Sequence, residues 1–309
     1  MHRQVHGILL LDKPIGLTSN AVLQRVKRLF KAKKAGHTGS LDPIASGMLP
    51  ICFGEGTKFS QFLLSSDKSY HVIAKLGEQT TTGDSEGKVI ATTVVENLMR
   101  ARVEQVINQY VGTIEQIPPM FSAIKYKGKP LYKLARQGIE VERVARPVTI
   151  FSIQLESIEA DFITLQVHCS KGTYIRTLIE DIGRDLGYGA HVIGLRRLSV
   201  HPYHDGKMYT LADLEALASQ HLDTLTACLL PLASSVTTFP MVSLPLTSVF
   251  YLRTGQAIRT ASLPTNLSKD QTFVSLYDEN NQFLGVGEVT SDGRVKPYRL
   301  LGSLDKQGM

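Results

Sequence analysis

Apolar positions along the chain switch between a period of two and a period near 3.6, which predicts a mixture of strands and helices. Ile8-Leu9-Leu10-Leu11 is a short apolar run closed by Asp12 and by the turn Lys13-Pro14-Ile15-Gly16, the pattern of a buried strand. Val22, Val26, Leu29 and Phe30 follow at three- and four-residue spacing, with Thr18, Ser19 or Asn20 available as the helix cap. Tyr70 to Leu76 reads as a strand of imperfect alternation, and Val89 to Val95, beyond the polar, turn-rich stretch 77–87, is its expected partner. Val103 to Val111 is helix-like, and Pro118-Pro119 stops any continuation. Two more strands are expected at 148–155 and 162–169. A helix from Tyr174 to Leu186 opens at Thr173 and stops at Gly187. Thr210 with Asp213 forms a capping arrangement for a helix of about ten residues. Beyond Pro231 helical periodicity fades, and short runs at 273–277 and 283–289 alternate with turns at Asn280-Asn281 and Asp292-Gly293. A boundary between Ser234 and Pro240 therefore divides the chain into a larger domain, 1–236, and a small all-β module, 240–305.

Composition narrows the class. Hydrophobic residues at 43% and charged residues at 20% belong to a folded globular chain of 309 residues. No apolar run approaches the ~18 residues of a membrane span, and the run at Ile8 is too short for a secretion signal. Cys52, Cys169 and Cys228 are odd in number and far apart, which predicts reduced thiols and a cytoplasmic protein. His201 and His204 straddle Pro202 with no third ligand nearby, so no metal is expected.

Charge adds a direction. The net charge of +6 lies wholly in residues 1–60, where nine basic side chains face three acidic ones. Arg25, Lys27, Arg28, Lys31, Lys33 and Lys34 crowd the first predicted helix with no acid among them, which favours a polyanion-binding face over an ordinary solvated one. A second cluster at 118–146 carries seven basic against two acidic residues and includes Tyr126 and Tyr132; aromatics among cations suit base stacking beside phosphate contacts.

The glycine-rich segments exclude the common nucleotide motifs. Gly54-Glu55-Gly56 and Gly285-Val286-Gly287 lack the third glycine of a dinucleotide fingerprint, and Gly36 to Ser40 lacks the Lys-Ser/Thr of a P-loop. What remains is 35–50, AGHTGSLDPIASGMLP, whose one carboxylate is Asp42. Pro43 biases Asp42 away from helix, while Gly36, Gly39 and Gly47 allow close backbone approach by a ligand. Spacing leaves two readings open: a turn acid bonding local amides, or a reactive carboxylate facing a bound polyanion. Asp181 with Asp185, and Glu180 with Arg184, read as surface helix pairs.

The segments GHTGSLDPIASGMLP (36–50), LLLDKPIGLTSN (9–20), SSDKSYHVIAKLG (65–77), IPPMFSAIKYKGKPLYKLARQGIEV (117–141) and CSKGTYIRTLIEDIGRDLG (169–187) resemble the motifs of the bacterial tRNA pseudouridine-55 synthases, the TruB family. FLGVGEVTSDGRVKPYRLL (283–301) resembles a PUA RNA-binding module. The resemblance implies a mixed α+β pseudouridine synthase fold with a central antiparallel sheet, plus a small all-β PUA-like barrel. It implies isomerisation of uridine 55 in the tRNA T-loop with neither metal nor organic cofactor, and a target base flipped into a pocket. Asp42 matches the family's nucleophile, Tyr70 the aromatic that stacks on the base and assists proton removal from C5, and Arg176 the arginine that pairs with the carboxylate. His37, Tyr174 and Leu195 match positions around the flipped nucleotide. The segment 118–146 matches a mobile RNA-clamping lobe, and the basic helix (Arg25, Lys27, Arg28, Lys31) is expected against RNA backbone. Read without the resemblance, Arg176 is a helix-surface partner of Glu180, Tyr174 a core residue and Tyr70 an ordinary strand aromatic.

Tyr70 would supply stacking, Leu195 would exclude water, and Arg176 would oppose the rise in pKa that burial imposes on Asp42. The rival readings are a tRNA-folding chaperone without required chemistry and, less favoured for want of a long basic tail, a guide-dependent synthase subunit. The partner expected is tRNA through its T-arm, with no membrane and no obligatory protein partner.

Overall fold

The computed structural model describes residues 2–220, 222–263 and 272–302, so the last residues of the expected second domain, 303–305, lie outside the described residues. In chain order come β1 (Gly7–Lys13), α1 (Ser19–Leu29), β2 (Ala35–His37), β3 (Ala45–Phe53), α2 (Ser60–Leu64) and β4 (Lys68–Leu76). A hairpin of β5 (Glu78–Thr80) and β6 (Val89–Thr92) leads to α3 (Arg100–Asn108) and β7 (Gly112–Gln116). A second, smaller hairpin of β8 (Lys125–Tyr126) and β9 (Lys129–Pro130) runs into α4 (Leu131–Ala135). Then follow β10 (Arg146–Glu159), β11 (Phe162–Cys169), α5 (Ile175–Leu186), β12 (Ala190–Val200), α6 (Leu211–Gln220) and α7 (Leu222–Thr226). The smaller unit holds β13 (Met241–Leu244), α8 (Leu246–Arg253), β14 (Phe273–Asp278), β15 (Phe283–Val289) and β16 (Val295–Leu300).

The central sheet runs β1-β3-β12-β4-β11-β10-β7, with β2 added on β3. Its pairings are antiparallel except one: Leu195–Arg197 of β12 lies parallel to Ala45–Gly47 of β3. The sheet is thus two antiparallel halves spliced through a short parallel joint. Gly47 occupies that joint at φ +98°, and a β-carbon there would lie 2.2 Å from the Arg197 carbonyl oxygen. Only glycine permits both the backbone angle and the approach.

β4 alternates strictly between buried and half-buried positions, placing Tyr70, Val72, Ala74 and Leu76 on one face. That face packs with Leu178, Ile179 and Ile182 of α5 and with Val103, Val106 and Ile107 of α3. Gly187, at φ +92°, ends α5 as expected. Thr18 caps α1 by accepting from the Ala21 amide (3.1 Å). Thr210 and Asp213 exchange side-chain-to-backbone bonds of 3.1 and 2.9 Å at the start of α6.

Three expectations need correction. The 89–95 segment does not pair with β4; Val89–Thr92 pairs with β5, because Gly77 (φ +81°) turns the chain out of the sheet and β11 and β12 take both edges of β4. Strands β3 and β12, which flank the joint, are absent from the expected elements. Gly47 and Pro50 resemble breakers, and Arg196-Arg197 interrupts the apolar pattern. The smaller unit is not all-β: α8 packs Val249 and Leu252 against the strands, beside Val242, Leu276 and Val295. Its four strands follow the order β13-β14-β15-β16, with β13 parallel to β14.

The two units meet through aromatics. Phe62 lies 5.0 Å from Phe239 and 5.5 Å from Phe273 between ring centroids, and the Lys58 ammonium donates to the Leu300 carbonyl (2.9 Å). Gly47→Ala is expected to destabilise the protein by more than about 2 kcal/mol in urea unfolding, since strain and overpacking act together. An unchanged midpoint would show that the joint yields freely.

Candidate active site

Asp42 lies in the connection between β2 and β3, and the start of α1 holds that connection in place. The Ser19 hydroxyl accepts from the Leu41 amide (2.7 Å) and donates to the Leu41 carbonyl (3.1 Å). The buried Thr38 amide donates to Pro50 (3.1 Å), and the Gly16 amide to Pro43 (2.8 Å). Behind the loop, the fully buried Lys13 donates to the carbonyls of Ala45 (2.6 Å) and Pro14 (2.9 Å). The loop is therefore clamped on both sides of Asp42.

The Asp42 carboxylate, 41% exposed, pairs with the buried Arg176 guanidinium at 3.0 Å. Arg176 is not a surface partner of Glu180. From the first turn of α5 its other donors reach Asp84 (3.2 Å), the Thr82 carbonyl (2.9 Å) and the Phe121 carbonyl (2.8 Å). Asp84 is buried and held in place through its backbone neighbours: the Ser85 amide donates to the Val192 carbonyl (2.9 Å) and the Val192 amide to the Gly83 carbonyl (3.0 Å). Burial raises the Asp42 pKa; Arg176 opposes the rise, Asp84 adds to it and Lys13 opposes it, leaving it above the ordinary aspartate value. Burial also lowers the Lys13 ammonium to about 8.

Tyr70 stands on β4 directly opposite Arg197 of β12, and the phenol and guanidinium interact electrostatically. Burial raises the phenol pKa, so Tyr70 is neutral. Leu195, two residues before Arg197, is flanked by Ala45 on β3 and Val72 on β4. Tyr174 caps α5, and the buried Gln116 side chain clamps its backbone, accepting from the amide (2.7 Å) and donating to the carbonyl (3.1 Å). His37, on β2, is half-buried, and its Nδ1 is buried without a protein partner; burial and then Arg197 lower its pKa. The fold thus brings His37, Asp42, Tyr70, Tyr174, Arg176 and Leu195 to one region.

The basic helix stands apart from it. α1 ends at Leu29, so Lys31, Lys33 and Lys34 lie beyond the helix. Ser19 touches the Asp42 loop, whereas the basic end is about 15 Å away along the helix. Arg25 forms an ion pair with Glu215 of α6 (2.7 Å), Lys27 is half-buried, and Arg28 and Lys31 are exposed. The helix lacks its own acids because a neighbouring helix supplies one.

Sequence reasoning missed Asp84, Lys13, Gln116 and Arg197. Asp84 sits in a polar, turn-rich stretch where acids are ordinary, and the other three become visible only through burial. On α5, Arg184 pairs with Asp181 (2.6 Å) and Asp185 (3.5 Å), while Glu180 faces Gly83. Among the described residues no group of three His, Cys, Asp or Glu side chains could hold a metal ion, and no helix is long and apolar enough to cross a membrane. The site offers one carboxylate steered by a guanidinium, a neutral phenol and an apolar wall.

Residues 27–175 match the model of the TruB family pseudouridylate synthase N-terminal domain. Residues 176–237 match the tRNA pseudouridylate synthase B C-terminal domain, and 240–301 the C-terminal model of pseudouridine synthase II TruB. The chain is 53% identical over 300 residues to tRNA pseudouridine synthase B of a Coxiella burnetii strain, covering 97% of this chain and 96% of that one. It is 50% identical over 301 residues to the protein of that name from Nitrosococcus oceani, with the same coverage. Among solved structures it resembles a chain of a Cbf5-Nop10-Gar1 complex, with TM-score 0.76 and 25% identity over 96% of this chain and 84% of that one. A chain of an H/ACA RNP bound to a substrate RNA containing 2′-deoxyuridine shares the fold, with TM-score 0.75 at 23% identity over 97% and 86% of the two chains.

His37 gives a direct check of the site's electrostatics. Its imidazole is expected to titrate by NMR with a midpoint below 6.5, whereas a midpoint at or above that value would contradict its burial beside Arg197.

Proposed function

The chain belongs to the TruB family of pseudouridylate synthases and is an isomerase that makes pseudouridine in tRNA; we propose that its target is uridine 55 of the T-loop and that Asp42 is the nucleophile. The 3.0 Å contact between Arg176 and Asp42 carries this reading. It aims one carboxylate oxygen through a guanidinium that Asp84 and two carbonyls immobilise, leaving the carboxylate partly open to a substrate. In the isomerisation the N1–C1′ bond breaks, the base turns, C5 bonds to C1′, and the proton leaving C5 is balanced by one gained at N1. Nothing is oxidised. Asp42 forms the transient bond to the nucleoside, so it must be ionised when the base arrives. Burial disfavours that form, and Arg176 with Lys13 counters the penalty.

The other roles are those that the family resemblance implies, and the placement of the residues is compatible with them. Tyr70 stacks on the flipped base and assists removal of the C5 proton, Leu195 closes the apolar wall, and His37 and Tyr174 hold the extruded nucleotide. The lobe 118–146 clamps RNA. Its Tyr126 is exposed with the Lys127 ammonium 5.4 Å from the ring centre, Tyr132 carries Arg136 at 5.6 Å, and its root is tied to the site through the Phe121 carbonyl. The unit from Pro240 onward is a PUA-like RNA-binding module. Arg28 and Lys31, exposed and free of ion pairs among the described residues, contact phosphates, with Lys27 beside them; Arg25 is committed to Glu215 and contributes less.

Tritium release from C5-labelled uridine in a tRNA transcript measures the reaction, and pseudouridine mapping gives its position. Asp42→Asn is expected to release none while still binding tRNA; full turnover would remove Asp42 from the chemistry. Arg28→Glu combined with Lys31→Glu is expected to weaken tRNA binding and flatten the slope of log K against log salt by about 0.7–0.9 for each phosphate no longer neutralised. An unaltered slope would leave this end of α1 as a solvated surface.

A further inference from the structure

Arg197 has no assigned part in the reaction above, yet it is among the largest fully buried side chains of the protein, at 1% exposure. No carboxylate among the described residues pairs with it, and the charged groups that feel it most are Lys13, Lys68 and His37. An unpaired buried cation is expensive, and an apolar side chain of similar volume at such a position is often neutral or stabilising. A role in packing alone does not account for it.

Its donors reach three elements of the site. Nε donates to the Met48 carbonyl of β3 (2.7 Å) and Nη2 to the Gly39 carbonyl in the Asp42 loop (3.3 Å), while the guanidinium interacts with the Tyr70 phenol, its cross-strand partner on β4. Gly39 sits at φ +104°, a left-handed angle that favours glycine, and a β-carbon there would be in van der Waals contact with Nη1 (3.5 Å), so the turn packs directly on the guanidinium. A guanidinium has donors and no acceptor. Toward the Tyr70 phenol it can therefore act only as a donor. One group thereby stands against both the phenol and the turn three residues before Asp42.

We propose that Arg197 is a positioning residue for the isomerisation, holding the Tyr70 ring and the Asp42 loop in one fixed relation from beneath the pocket. The proposal rests on the functional reading above for its consequence, though its geometry stands without it. Asp42 and Tyr70 must act on one nucleotide, so their separation has to be set before the nucleotide enters. Misplacement of about 1 Å between reacting groups can cost about 10²-fold in rate.

Arg197→Met and Arg197→Lys separate positioning from folding. In protein that melts cooperatively, Arg197→Met is expected to lower the single-turnover rate of tritium release by about 10²-fold, with the Kd for tRNA changed less than about threefold, and Arg197→Lys to recover about tenfold of that loss. In a Tyr70→Phe background the Arg197→Met loss is expected to shrink to less than about tenfold, because one of the tethered groups is already gone. Losses that multiply unchanged, or an affinity for tRNA that falls in step with the rate, would assign Arg197 to general structure and overturn the proposal. If Arg197→Met fails to fold, Arg197→Lys and Arg197→Gln carry the same comparison. A second readout needs no activity: the Tyr70 ring signal in ¹³C-tyrosine spectra of the free protein, identified by its loss in Tyr70→Phe, is expected to shift and broaden in Arg197→Met. An unmoved signal overturns the proposal even if wild-type protein releases no tritium, an outcome that would sink the functional reading alone.

Discussion

The ion pair between Arg176 and Asp42 sets conditions that much of the larger unit meets. Partial burial favours the protonated form of a carboxylate, and an adjacent guanidinium favours the ionised one. Arg176 can hold Asp42 ionised only if the guanidinium is itself held, and its burial leaves that mainly to protein groups. Asp84 and the carbonyls of Thr82 and Phe121 supply that restraint. Each arrives by a different route: Asp84 on the loop of the hairpin stitched to β12, Phe121 at the root of the 118–146 lobe, Arg176 from the first turn of α5. Two carboxylates on one guanidinium leave the cluster with a negative balance, which Lys13 behind the loop partly offsets. Removing either acid would change the charge felt by the other.

The splice in the central sheet serves the same requirement. An antiparallel sheet places consecutive strands side by side, but β3 and β12 are far apart in sequence and meet in parallel over a short register. Beyond that contact β3 gives way to the Asp42 loop, while β12 continues beside β4. At this divergence Leu195 and Arg197 lie on β12 and Tyr70 and Val72 on β4, with the Asp42 loop at the end of β3. Sites on strands are held more tightly than sites on free loops. Here the one loop that carries Asp42 is clamped by Ser19, Thr38 and Lys13 until it is nearly as fixed as a strand.

Local rules reach those parts of the fold that local rules govern. The caps at Thr18 and Thr210, the stop at Gly187, and strands β4 and β11 follow from spacing and turn chemistry. The two strands at the splice do not, since β3 carries Gly47 and Pro50 and β12 carries two adjacent arginines, and their pattern answers to the site rather than to a core. The site divides in the same way. Residues that resemble a family pattern, from His37 to Leu195, are legible as a set, while the groups that hold them (Lys13, Asp84, Gln116, Arg197) show themselves only by what they touch. A buried lysine and a surface lysine are the same letter. The partner that gives Asp84 its meaning lies 92 residues away in sequence, beyond any periodicity.

Charge illustrates how a sum can point to the right partner for an incomplete reason. The excess in residues 1–60 suggests a polyanion, yet Arg25 is neutralised by Glu215 and Arg3 by Asp223. Lys13, counted in the same excess, is buried and faces Asp42 instead of solvent. The face left for an incoming polyanion is therefore smaller than the count implies. What the buried cations do is act at short range in a medium that screens poorly, where one charge outweighs several on the surface. The same feature explains why an anionic substrate need not drive Asp42 to protonate: Arg176 and Lys13 lie within the protein beside the carboxylate, whereas phosphates approaching from outside remain screened by water and salt. Under the proposed function, the surface charge would recruit the RNA and the buried charge would keep Asp42 ionised once the RNA has arrived.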